Sequence, residues 1–111
     1  MKKSQEFTYL YTNGYRHVSV FFVVFLKKES SQNKRVAVVA SKKIGNAVLR
    51  NKAKRRMREV MRLSKDYIKP GTSVVMIARK SVVTADFKLL NETFQKILEK
   101  FYKYEKNKQN S

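Results

Sequence analysis

No cysteine occurs in the chain, which excludes a disulfide framework, a thiolate metal site and a cysteine nucleophile. That absence fits a reducing compartment. Acids are scarce: eight stand against 26 Lys and Arg in 111 residues. Protein-only phosphodiester hydrolysis by two metal ions requires carboxylates that converge. Glu6, Glu29, Glu59, Asp66, Asp86, Glu92, Glu99 and Glu105 are spread along the chain. Glu59 and Asp66 alone have a spacing worth weighing, and arginines surround them, so no self-sufficient nuclease site is expected. His17 is the only histidine, with no evident partner to make it a base or a ligand. Gly14, Gly45 and Gly71 are the only glycines, so there is no glycine-rich phosphate loop. The longest apolar run, residues 18–26, has nine residues and is too short to span a bilayer. Lys27-Lys28-Glu29 follows it without a small-residue cleavage site, so it is not a signal peptide.

What is present is positive charge. The formal net charge is +18 and the pI is near 10.4, which points to nucleic acid or an anionic membrane. The charge is concentrated in SKKIGNAVLRNKAKRRMRE, residues 41–59. Ten cations lie between Lys42 and Lys65, with Glu59 the one acid among them. A helix over residues 47–65 sorts these side chains into two faces. Arg50, Lys54, Lys65, Arg58, Asn51, Arg62 and Arg55 fall within roughly 140° of arc. Leu49, Ala53, Met57, Val60, Met61 and Leu63 occupy the other side. One face suits a core and the other suits anions. Asn46 is a good N-cap, and Gly45 permits a tight turn before it. Lys42, Lys43 and Arg50 crowd the positive end of the helix dipole, which is unfavourable unless a phosphate sits there.

In chain order, residues 4–12 read as a short helix stopped by Asn13-Gly14. Residues 18–26 read as one strand apolar on both faces, with Phe21, Val23 and Phe25 on one of them. KKESSQNK, residues 27–34, has the composition of a hairpin loop, with residues 35–40 as the return strand. Small side chains at Ala37, Val39 and Ser41 beside Phe21 and Phe25 would leave a shallow groove with aromatic walls. Lys69-Pro70-Gly71 is a turn and residues 73–78 a third strand. Thr84 is expected to cap a last helix with Phe87, Leu90, Phe94, Ile97 and Phe101 on its core stripe. Residues 103–111 read as a polar, frayed tail of a single domain, 1–111, which the residues alone mark as a binder of RNA or DNA.

The run SKKIGNAVLRNKAKRRMRE resembles the signature of the bacterial ribonuclease P protein subunit, carried by Arg50, Asn51, Lys54, Arg55 and Arg58. Ser41-Lys42-Lys43, Gly45-Asn46-Ala47-Val48, Ala78-Arg79-Lys80, and Phe7, Tyr11 and Gly14 are similar to the family as well. The resemblance implies an α/β (α+β) two-layer split sandwich, helix–strands–helix–strand–helix, like domain 2 of a small-subunit ribosomal protein. Its crossover through the basic helix is left-handed. The general rule for parallel connections favours the right hand in about 98% of cases, and the resemblance is followed against it.

The function implied is that of a ribonuclease P subunit, which binds the catalytic RNA and assists removal of the 5′ leader from precursor transfer RNA. The chemistry would belong to the RNA and its Mg2+, with no catalytic residue in the protein and a magnesium ion bound with RNA near Asn51. Arg50, Asn51, Lys54, Arg55, Arg58, Arg62, Lys42 and Lys43 would hold RNA. Phe7, Tyr11, Phe25, Val39 and Ser41 would line the leader cleft. The expected partners are ribonuclease P RNA and precursor transfer RNA, in the cytoplasm, with no membrane and no obligate protein partner. Where the family carries Ala-Asn-Arg, this chain has Val18-Ser19-Val20, so a polar contact is lost; few contacts are expected upstream of the first helix. A ribosomal or RNA-chaperone protein, and a basic amphipathic helix on anionic lipid, are the rival readings.

Overall fold

The computed structural model describes residues 14–29 and 35–109. The helix expected over residues 4–12 lies outside them. Strands β1 (Tyr15–Val18), β2 (Phe22–Lys28) and β3 (Arg35–Val39) are followed by helix α1 (Ala47–Leu63). Strand β4 (Thr72–Ala78) and helix α2 (Phe87–Gln109) come last among the described residues. The sheet order is β1-β2-β4-β3, antiparallel except for the parallel pair β3/β4. This mixed α+β architecture is the fold expected from the resemblance.

Two strand expectations are corrected. The apolar run 18–26 is not one strand, because a turn breaks it at Ser19. There the Ser19 N–H donates to Phe22 O (3.0 Å), the Ser19 hydroxyl donates to the same carbonyl (2.7 Å), and the Phe22 N–H donates to Ser19 Oγ (3.1 Å). Val18 consequently faces Val23 across the hairpin, and Phe21 packs against the helix-side core rather than the groove. The second correction concerns β2 and β3, which do not form a hairpin: β4 lies between them. Burial explains this placement. Every residue of β4 but Ile77 is buried and β2 is apolar on both faces, whereas Arg35 and Val36 leave β3 exposed at the edge.

The turn at Ser19-Val20-Phe21 contains no glycine, and its carbonyls are taken by the segment leaving β4. Arg79 N–H donates to Phe21 O (2.9 Å), the Arg79 guanidinium to Ser19 O (3.2 Å) and the Ser81 hydroxyl to Val20 O (2.6 Å). Arg79→Ala is expected to lower stability by about 0.5–1.5 kcal/mol, the net worth of one such bond. A urea midpoint equal to the parent's would show that the guanidinium contact contributes nothing.

One core joins both helices to the sheet through Phe22, Val24, Leu26, Val74, Met76, Met57, Val60, Leu90, Phe94 and Phe101 among others. Phe22 meets Phe94 edge-on at 6.4 Å. Helix α1 starts where expected, with Asn46 Oδ1 accepting from the Leu49 N–H (3.0 Å). Gly45 has φ 139°, and a Cβ there would lie 2.8 Å from Leu49 Cδ1, so this position requires glycine. The helix ends at Leu63 rather than at residue 65, and Leu63 is exposed instead of buried. A 3-10 turn at Lys65–Tyr67 then leads to Ile68, the next buried apolar side chain.

Helix α2 is capped by Asp86, not Thr84. The Lys88 N–H donates to Asp86 Oδ1 (2.9 Å), and the carboxylate also suits the positive end of the helix dipole. Thr84 instead ends a 3-10 turn at Lys80–Val83. Leu90, Phe94, Ile97 and Phe101 are buried as expected; Phe87 is half-buried, and α2 runs to Gln109.

Candidate nucleic-acid interface

The burial of Ala53, Met57, Val60 and Met61 in the core turns the opposite face of α1 outward. On that face Asn51, Arg55, Arg58 and Arg62 are exposed and Arg50 and Lys54 half-buried. The core occupies this apolar face, so Ala53, Met57, Val60 and Met61 are not available to a lipid surface. Among the described residues no helix is long and apolar enough to cross a membrane.

Position along α1 divides these groups. Arg50 lies in the first turn, which contains no acid, and its Nε is buried without a hydrogen-bond partner. A buried, unpaired donor at the positive end of a helix is costly as it stands and suited to an anion. Lys42 and Lys43, both exposed, lie on the 3-10 turn just before the helix, whose start is capped by Ser41. Towards the other end Arg62 pairs with Glu59. That pair is exposed and weak, so it leaves Arg62 able to exchange its carboxylate for a phosphate.

Two cations of the basic run lie elsewhere. Arg56 crosses to α2, donating to the Ala85 carbonyl and placing its guanidinium 5.8 Å from the centre of the Phe87 ring. Lys65 lies beyond the helix, on the 3-10 turn. Neither belongs to the outward face of α1.

The sheet face away from the helices forms the second candidate surface. Phe25 and Val75 are its buried centre, with Val23, Ala37, Val39 and Ile77 packed around them. The register sets Phe25 beside Val75 and Val75 beside Ala37; Val23, Ile77 and Val39 form the next row. Phe25 and Val39 are therefore two strands apart, with β4 between them. Val75 and Ile77 form the floor of this surface, and sequence reasoning missed them because it paired β2 directly with β3. The unbroken apolar run 74–78 was the available signal, since it marks a strand apolar on both faces, though it does not reveal which strands flank β4. Ser41 lies past the end of β3, and its hydroxyl accepts from the Lys43 N–H at 3.3 Å. Phe7 and Tyr11 lie outside the described residues.

His17 is half-buried on β1. Burial, and then the nearby Lys100 charge, hold its pKa below the usual histidine value, so it is uncharged at neutral pH. Among the described residues no three of His, Cys, Asp and Glu converge as metal ligands.

Comparison with known proteins gives this geometry a family. The Ribonuclease P family profile matches residues 1–102. The ribonuclease P protein component of Caldanaerobacter subterraneus subsp. tengcongensis is 38% identical over 105 residues, spanning 95% of this chain and 90% of that protein. That of Clostridioides difficile is 34% identical over 101 residues, spanning 90% and 89%. The fold is similar to the RNase P protein of Thermotoga maritima, with a TM-score of 0.78, 29% identity, and 90% and 94% of the two chains covered. The Staphylococcus aureus RNase P protein gives a TM-score of 0.74 at 30% identity, with 89% and 91% covered. Profile, sequence and fold agree over nearly the whole length, and the chain belongs to the ribonuclease P protein family, the protein component of a ribonucleoprotein nuclease of transfer RNA processing.

Proposed function

We propose that the chain anchors ribonuclease P RNA on the outer face of α1 and receives the 5′ leader of precursor transfer RNA on the sheet face away from the helices. The observation that carries this reading is the outward row of Arg50, Asn51, Lys54, Arg55, Arg58 and Arg62, with Glu59 the only acid on the helix. Such a row neutralises phosphates whatever their sequence. The half-buried Val23, Val39 and Ile77 around the buried Phe25 and Val75 offer apolar contact to unpaired bases, and Phe7 and Tyr11 would extend it. Precursor would then bind more tightly than mature transfer RNA, because only precursor carries the leader.

Hydrolysis is assigned to the RNA subunit and its magnesium. Asn51 offers one amide oxygen among cations, which does not fit a divalent ion by itself, so RNA phosphates must supply the ligands. The direct test is cleavage of a precursor transfer RNA by ribonuclease P RNA at low magnesium, with and without this chain. Stimulation is expected. Binding of the RNA without stimulation would leave a ribosomal or chaperone role.

The two ends of the α1 row lie roughly 12–18 Å apart by helix rise, too far for one phosphate. Arg50 and Asn51, with Lys54, are assigned to placing RNA and its magnesium near the cleavage site, and Arg58 and Arg62 to assembly. Arg50→Ala or Asn51→Ala should therefore raise the magnesium needed for cleavage more than it weakens assembly. Arg58→Ala or Arg62→Ala should do the reverse. If all four variants shift both quantities in proportion, the row is one undivided anchor.

A further inference from the structure

At the edge of the sheet far from α1, an aromatic side chain is exposed amid lysines. Helix α1 lies against β3 and β4, whereas β1 forms the opposite edge. There Tyr15 packs on α2, its ring centre 5.7 Å from Phe101 and 5.0 Å from Tyr104. Tyr104 is nevertheless 45% exposed. Tyr15 thus supports the Tyr104 ring while much of that ring's surface remains open.

The charges around Tyr104 are unusual for a helix merely solvated by water. Lys100, four residues earlier and exposed, has Lys96 at i−4 and Lys103 at i+3, both exposed as well. Like charges at these spacings repel. Across the gap from α2 to β1, the Lys100 charge also bears on His17. Glu92 and Glu99 precede Lys96 and Lys103 by four residues and can moderate those two, but the residue four before Lys100 is itself a lysine. Lys106 and Lys108 lie in the last turn and suit the negative end of the helix dipole, and Lys108 follows Tyr104 by four residues.

An exposed, supported aromatic ring beside repelling cations matches the chemistry of unpaired RNA, in which a base stacks and the flanking phosphates neutralise. We propose that β1 and the outer face of α2 form a second RNA contact. In it, Tyr104, backed by Tyr15, stacks on an unpaired base of the ribonuclease P RNA while Lys100 and Lys103 hold the adjoining phosphates. The proposal rests on the reading that this chain anchors that RNA. It adds a contact at the sheet edge opposite α1, so the RNA is held from two sides.

The test is binding of the full chain to ribonuclease P RNA across a salt series, comparing the parent with Lys100→Ala, Tyr104→Ala and Arg58→Ala. Lys100→Ala should reduce the slope of log affinity against log salt by about 0.7–0.9, one phosphate contact. Tyr104→Ala should weaken binding about five- to 150-fold with the slope unchanged, the value of one lost stack. Tyr104→Phe should restore binding. Ring signals of His17, the only histidine, should shift in NMR spectra when the RNA binds. Should Tyr104→Ala also lower the melting temperature, the exposed Lys100→Ala variant decides through its slope.

Parental affinity and slope for Lys100→Ala, with a loss for Arg58→Ala, would overturn this contact and leave the α1 anchor standing. Parental behaviour of all three variants would instead remove the anchor reading itself. An effect seen only on precursor transfer RNA binding, and not on ribonuclease P RNA, would also overturn the proposal.

Discussion

Raising monovalent salt from about 50 to about 200 mM is expected to weaken the complex with ribonuclease P RNA about 130- to 500-fold through the α1 face alone. Arg50, Lys54, Arg55, Arg58 and Arg62 can neutralise about five phosphates, and each releases its condensed counterion. At about 0.7–0.9 per contact, log affinity should fall against log salt with a slope of roughly −3.5 to −4.5. Burial does not reduce this number, because Arg55, Arg58 and Arg62 are exposed and Arg50 and Lys54 only half-buried. Nor does Glu59, since an exposed ion pair with Arg62 is screened by the same salt. Filter binding or fluorescence titration at several salt concentrations supplies the slope. A value near zero would mean that α1 does not hold the RNA electrostatically. A steeper value is expected if the β1–α2 contact adds its own phosphates.

Truncating Met57 should cost the fold a large part of its stability. Its side chain is fully buried in the middle of α1, in the core that joins α1 to the sheet and α2. Met57→Ala removes that contact and leaves a cavity, at a cost of about 2–5 kcal/mol. Domains of this size are stable by only about 5–15 kcal/mol, so the loss is a large share of the total. Met57→Leu, which nearly conserves volume, should cost less than about 1.5 kcal/mol. Urea denaturation checks both variants: the midpoint falls steeply for alanine and slightly for leucine, with a common slope. An unchanged midpoint for Met57→Ala would mean that α1 does not depend on this core. The contrast with Arg58→Ala is informative, since an exposed arginine on the outer face should alter RNA binding at nearly constant stability.

Much of this protein was legible without coordinates, wherever the determining chemistry is local. The 3.6-residue period separated Ala53, Met57 and Val60 from Arg55, Arg58 and Arg62. Asn46 was readable as a cap because an amide at that position meets free N–H groups within its own turn. Gly45 was readable as a turn because the next helical turn, at Leu49, crowds its missing Cβ. The family resemblance rests on the same run, whose motif spacing lies within one helix.

Tertiary structure decided the rest, and in each case the determining partner is remote in sequence. β4 separates β2 from β3 because burial on both faces, rather than order along the chain, selects the central strands. The break at Ser19 is held partly by Arg79 and Ser81, about 60 residues away in sequence. Arg56, which the helical period already sets apart from the basic face, finds its partners Ala85 and Phe87 only once α2 has docked. Tyr104 and Lys100 read as ordinary positions of a polar tail and helix. They become neighbours of Tyr15 and His17 only when α2 folds back along β1, since helical periodicity orders side chains within one element and is silent about which strand they will meet.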